Sequence, residues 1–141
     1  MEVSNIETRK KYEVSCMVYG NRNKAGIFLK EVGDNYQIKF QMDSLHIIAE
    51  GENYFYALLE LREKLELQNI KLLCKGCSRN VYPSSMILSM GDALEAYELT
   101  KGKQAFTKDL VNIFDPCGYD EYASIKEQYA YYEEWVKSEK E

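Results

Sequence analysis

Residues 36–67 read YQIKFQMDSLHIIAEGENYFYALLELREKLEL, and the fold turns on the change of period inside them. In the first part Tyr36, Ile38, Phe40 and Met42 alternate with Gln37, Lys39 and Gln41, the two-residue period of a half-buried strand. Asp43-Ser44 is a turn signal, and Leu45–Ala49 reads as another strand. After Gly51 the period lengthens. Tyr54, Leu58, Leu61 and Leu65 recur at helical spacing, Phe55 and Leu59 widen the stripe, and Glu60, Arg62, Glu63, Lys64 and Glu66 fill the outer face. This predicts an amphipathic helix over 53–67 with Asn53 as its N-cap.

Upstream of this stretch, residues 12–18 and 25–32 read as strands separated by Gly20-Asn21-Arg22-Asn23, with Gly33-Asp34-Asn35 as the next turn. Four short strands on short turns predict an antiparallel meander. Residues 1–10 read as a polar leader. Downstream, 70–73 reads as a strand and 75–80 as a loop. Val81-Tyr82 is extended because Tyr82 precedes Pro83. Residues 84–90 fit a helical turn or a strand. Residues 94–99 read as a strand which, with 70–73, extends the first sheet.

Thr107 caps an expected helix over 108–114, with Phe106 and Val111 as a hydrophobic staple. Asp115–Gly118 breaks it. Ser124 and Glu127 form a capping box that opens a terminal helix over 125–138. Its stripe, Ile125, Tyr129, Tyr132 and Val136, assigns Tyr129 and Tyr132 to the core. The expectation is an α+β fold: an antiparallel sheet of about five to six strands packed against one central and one C-terminal helix, in a single domain spanning 1–141. The predicted core is Tyr36, Ile38, Phe40, Leu58, Leu61, Leu65, Leu72 and Ile113.

The 141 residues carry 18 basic and 23 acidic side chains, a formal net of −5, and 45% hydrophobic residues, which is globular composition. An acidic chain without a basic stripe argues against direct nucleic-acid binding, which draws on Lys and Arg at phosphates. It suits a basic protein partner approached by electrostatic steering. No apolar run nears the roughly 20 residues of a membrane helix, so no membrane role is expected. The opening MEVSNIETRKKYEVS has no apolar signal region, so the expected location is cytoplasmic.

Four cysteines, Cys16, Cys74, Cys77 and Cys117, are therefore expected as free thiols. Cys74-Lys75-Gly76-Cys77 is the sharpest local motif. A redox pair wants a helix to start at once, because the helix N-terminus stabilises a thiolate, and Ser78–Pro83 does not start one. A zinc site needs Cys16 and Cys117 to converge on the pair. Structural thiols are the favoured expectation, with neither metal nor cofactor. His46, the single histidine, sits between Leu45 and Ile47 and is expected to face water. Phosphate-loop, dinucleotide, nucleophile-elbow, zinc-protease and EF-hand patterns are absent, so no catalytic residue and no enzymatic activity are expected.

Aromatic residues crowd the C-terminal part. Tyr131 and Trp135, four apart, share a helix face, and with Glu127 and Glu134 they form a candidate partner-binding surface. Arg79, Asn80 and Tyr82, beside the cysteine pair, complete the candidate set.

Leu73–Ser84 (LCKGCSRNVYPS), with Tyr56–Arg62, Met90-Gly91, Ala96-Tyr97, Gly102–Ala105, Asp109–Asp115 and the Ser124–Gln128 helix start, resembles an uncharacterised family of small standalone bacterial proteins. Those proteins resemble in turn the immunity proteins of polymorphic and contact-dependent toxin systems. Members often lack a cysteine at the place of Cys77, so the resemblance implies no obligatory zinc or redox role for the pair. It implies an inhibitor that occludes a cognate toxin, a nuclease being the favoured kind. The alternatives are a small metal- or thiol-dependent protein centred on Cys74 and Cys77, and a ligand-binding or oligomerising domain.

Overall fold

A computed structural model describes residues 8–141. Four strands form the meander: β1 (Thr8–Val18), β2 (Asn21–Val32), β3 (Asn35–Met42) and β4 (Leu45–Gly51). Two-residue turns join them, and Tyr19, Gly33 and Asp43 open these turns with φ of 50°, 61° and 53°. Left-handed residues there match the strand twist and fix the register, pairing Val18 with Asn21, Val32 with Asn35 and Met42 with Leu45. Asn53 caps α1 (Tyr54–Glu66) by accepting from the Tyr56 N–H at 2.8 Å. β5 (Ile70–Leu73) then pairs antiparallel with β1, giving the sheet order β4-β3-β2-β1-β5.

The period switch works as expected. Helix α1 lies against β3, β4 and β5, and the buried face of the sheet carries Val14, Cys16, Ile27, Leu29, Ile38, Phe40 and Ala49. Phe55, Leu58, Leu61 and Leu65 come down on them from α1. Seven of the eight predicted core residues are buried; Tyr36 instead lies half-buried at the sheet end, edge-on to Tyr54 with ring centroids 4.9 Å apart.

The second half departs from expectation in several places. The strand near 94–99, β7 (Glu95–Glu98), does not extend the first sheet. It pairs between β6 (Val81–Tyr82) and β8 (Leu110–Asn112) in a separate three-stranded sheet. The expected helix over 108–114 is a single 3₁₀ turn, Thr107–Asp109, followed by β8. Asp109 reaches back to the Phe106 N–H at 2.9 Å, which caps one turn, but the β-branched Val111 then pairs with Ala96. Residues 84–90 take the helical alternative as α2 (Ser85–Met90), capped by Ser84. Thr8–Lys10, read from the sequence as part of a polar leader, belong to β1; residues 1–7 of that leader lie outside the described residues. Among the described residues no helix is long and apolar enough to cross a membrane.

Candidate functional site

The capping box at Ser124 and Glu127 forms as expected and starts α3 (Ile125–Lys137). The helix then docks on a side chain that hydrophobic patterning passes over. Gln128 is its one fully buried residue. Gln128 Nε2 faces the carbonyls of Gly76, Ser78 and Val81 at 2.8, 2.9 and 2.9 Å, and Oε1 accepts from Arg62 Nη1 at 2.7 Å.

Arg62, expected on the outer face of α1, is 2% exposed. Its guanidinium also donates to the Ala123 and Gly76 carbonyls, and it lies 5.8 Å from the Tyr122 ring centroid. Backbone dipoles and one amide thus solvate this charge, and among the described residues no carboxylate forms an ion pair with it. Among the described residues its Nε finds no hydrogen-bond partner.

Docking through Gln128 rotates α3 by about one residue relative to the Ile125–Tyr129–Tyr132–Val136 stripe. Tyr129 and Val136 consequently stand at the surface, 47% and 51% exposed, and Tyr132 is half-buried. The core assignment of Tyr129 and Tyr132 is corrected accordingly.

These tyrosines continue a row of aromatic rings that begins in the core. Phe55 meets Tyr82 edge-on at 5.0 Å, Tyr82 stacks on Tyr132 at 4.2 Å, and Tyr132 lies 6.4 Å from Trp135. Tyr129 sits 6.1 Å from both Tyr82 and Tyr132. Burial pushes the Tyr82 phenol up to about 12, and the nearby phenols of Tyr56, Tyr129 and Tyr132 add to the shift. Tyr56, on α1, is exposed. A groove of about 400 Å³ runs along the row, lined by Tyr82, Pro83, Tyr97, Leu99, Tyr132 and Trp135.

Of the residues singled out from the sequence, Tyr82 and Trp135 meet in this groove. Tyr131 and Trp135 do share a face, but both are half-buried and bind the chain itself: Tyr131 donates to the Leu99 carbonyl at 3.4 Å and Trp135 Nε1 to that of Lys103 at 2.9 Å. Asn80 donates to the same Leu99 carbonyl at 3.1 Å. Glu134 is exposed and ion-paired with Lys101. Glu127 lines a different depression with Lys71, Tyr119 and Tyr122. The Ser124 backbone N–H holds its carboxyl below the ordinary range, and the nearby charges of Arg79 and Lys71 act in the same direction.

Three members of the aromatic surface, Tyr56, Tyr129 and Tyr132, were missed as surface groups. The available signal was Gln128, a long amide in phase with Ser124, Tyr131 and Trp135. His46 is exposed, as its position between Leu45 and Ile47 implied. Among the described residues no three His, Cys, Asp or Glu side chains are arranged to hold a metal ion. A scan against protein-family models and a search of the curated proteins each found no match for the chain.

Proposed function

We propose that the chain is a protein-binding module, an immunity-type inhibitor whose contact surface is the aromatic row on α3 and α1. The observation that carries this reading is the concentration of tyrosine at one surface: Tyr56 and Tyr129 exposed, Tyr82 and Tyr132 half-buried behind them, Trp135 at the end. Large amphipathic rings with two rotatable bonds are the usual anchors of protein interfaces, because they bury much area at low entropic cost.

The flanks supply charge. On α1, Glu60 and Glu63 follow Tyr56 at spacings of four and three, and on α3 Glu133 and Val136 follow Tyr129 in the same way. Glu63 and Glu133 are exposed. Acidic flanks around an apolar strip favour a basic partner, which the net charge of −5 also attracts at longer range. A basic toxin domain, a nuclease above all, has that chemistry. Occluding it needs shape, charge and anchors, and no reacting group. On this reading the protein acts in the cytoplasm of the cell that makes the toxin and binds no nucleic acid itself.

The experiment is co-purification of the tagged full chain with the toxin domain encoded beside it. A one-to-one complex that abolishes toxin activity, with association slowing as salt rises, is expected. Full toxin activity in the presence of excess folded protein contradicts the proposal.

A further inference from the structure

The turn that leaves β5 holds two thiols side by side in the interior. Lys75–Cys77 form one 3₁₀ turn, closed by the Cys77 N–H donating to the Cys74 carbonyl at 2.8 Å. Both cysteines are fully buried, and their Sγ atoms lie 3.7 Å apart. A four-residue hydrogen-bonded turn keeps its outer Cα atoms within about 7 Å, which overlaps the span a disulfide bridges.

The backbone is fixed from several sides. Lys75 N–H donates to the Asp115 carbonyl and Gly76 N–H to that of Ile113, both at 2.7 Å, and Ala123 N–H donates to the Cys77 carbonyl at 3.0 Å. Gly76 is required there: a Cβ would stand 2.5 Å from Leu58 Cδ2 and 3.0 Å from Ile113 Cβ. Rotation of the two side chains is therefore the main movement needed to bring the sulfurs from contact to bonding distance.

The second feature is the buried Arg62. Its guanidinium donates to the Gly76 carbonyl, inside the turn. Burial pushes the Cys77 thiol up, but the hydrogen bond it shares with Cys74 and the Arg62 charge outweigh this and leave it below the ordinary cysteine value. Cys74 is held well above that value, first by its hydrogen bond to Cys77 and then by burial. Of the two sulfurs, Cys77, on the side the Arg62 charge favours, gives up its proton more readily. Cys117, half-buried nearby, is pushed up to about 11, chiefly by burial.

We infer that Cys74 and Cys77 form a dithiol site that a small peroxide oxidises to an intramolecular disulfide. Complete burial bars bulky disulfide oxidants, whereas hydrogen peroxide is nearly as small as water. The Cys77 thiolate attacks one peroxide oxygen. The O–O bond breaks, hydroxide leaves and is protonated to water, and Cys77 becomes a sulfenic acid. Cys74 sulfur then attacks Cys77 sulfur. The S–O bond breaks, the Cys74 proton passes to the departing hydroxide, and a second water leaves. The two thiols lose two electrons and two protons, and the peroxide takes up both.

The test needs no binding partner. The reduced, folded full chain is exposed to hydrogen peroxide, alkylated with N-ethylmaleimide under denaturing conditions, and digested with trypsin. Cleavage after Lys71, Lys75 and Arg79 separates the tetrapeptides LLCK and GCSR. The expected product is these two joined, two hydrogens lighter than their sum and released by dithiothreitol. It forms before Cys117 is modified. In Cys74→Ser the link is absent, and Cys77 is trapped by dimedone as sulfenic acid. The wild-type readout stands whether or not that variant folds. Both tetrapeptides recovered alkylated once Cys117 is oxidised, or Cys77 driven to sulfonic acid without the link, overturns the inference.

Discussion

Replacing Gln128 by alanine removes a side chain that ties α3 to the turn after β5 and to the buried arginine. The loss can be worked from the contacts. The bond from Arg62 Nη1 at 2.7 Å is to a charged group, and the amide has two hydrogens to share among three carbonyls at 2.8–2.9 Å. A hydrogen bond to a charge contributes about 1.5–3 kcal/mol and each neutral one about 0.5–1.5 kcal/mol. The expected destabilisation is about 3–5 kcal/mol, because the buried guanidinium and carbonyls lose these bonds together. That is a large part of the roughly 5–15 kcal/mol typical of a folded domain. The assay is urea unfolding followed by Trp135 fluorescence, reading the midpoint at unchanged slope. Lys126→Ala, on the exposed side of the same helix, is the control. A loss below about 1 kcal/mol, or one equal to the control, would refute the claim that Gln128 and Arg62 hold the two halves together. The double variant Arg62→Met with Gln128→Leu should cost less than the two single changes added, since no buried charge is then left unsolvated.

Leu61 is fully buried where α1 meets the sheet, so Leu61→Ala should cost about 2–5 kcal/mol in the same urea assay. Tyr19 holds φ 50° at the first hairpin turn while 74% exposed. Tyr19→Asn, better suited to that backbone, should raise stability by about 0.5–1 kcal/mol, and a lowered thermal midpoint would count against the turn assignment. Tyr119→Ala, exposed but outside the aromatic row, should leave both stability and partner affinity within about 0.5 kcal/mol of wild type.

The first half of the chain was legible because local chemistry and tertiary context agree there. Alternation from Tyr36 to Met42, positive-φ turn residues and the Asn53 cap each specify the same meander and helix. The second half was less so, for identifiable reasons. Asp109 caps one turn at the Phe106 N–H, with Thr107 inside that turn and not at its cap, and sheet pairing of Val111 with Ala96 overrides its continuation. β7 joins strands too short to show a period. Arg62 and Gln128 read as solvent-facing because long polar side chains usually are, and their mutual solvation is a tertiary fact. That single docking contact displaced the phase of α3, and with it Tyr129 moved from expected core to exposed surface. Of the candidate site, Tyr82 and Trp135 were legible as aromatic positions. Their neighbours Tyr56 and Tyr129 were not, because only the docked helices bring them together.

If this aromatic surface binds a basic protein partner, its anchor residues set the dissociation rate of the complex. Tyr129 is 47% exposed, so truncating it should cost little folding energy. Surface plasmon resonance with the co-encoded toxin domain, comparing wild type, Tyr129→Ala and Tyr119→Ala, separates anchor from bystander. If Tyr129 is a central anchor worth about 2 kcal/mol, its removal speeds dissociation about 30-fold while Tyr119→Ala leaves it unchanged. Equal dissociation rates for all three proteins, each shown to be folded, would mean that the aromatic row is not the contact surface.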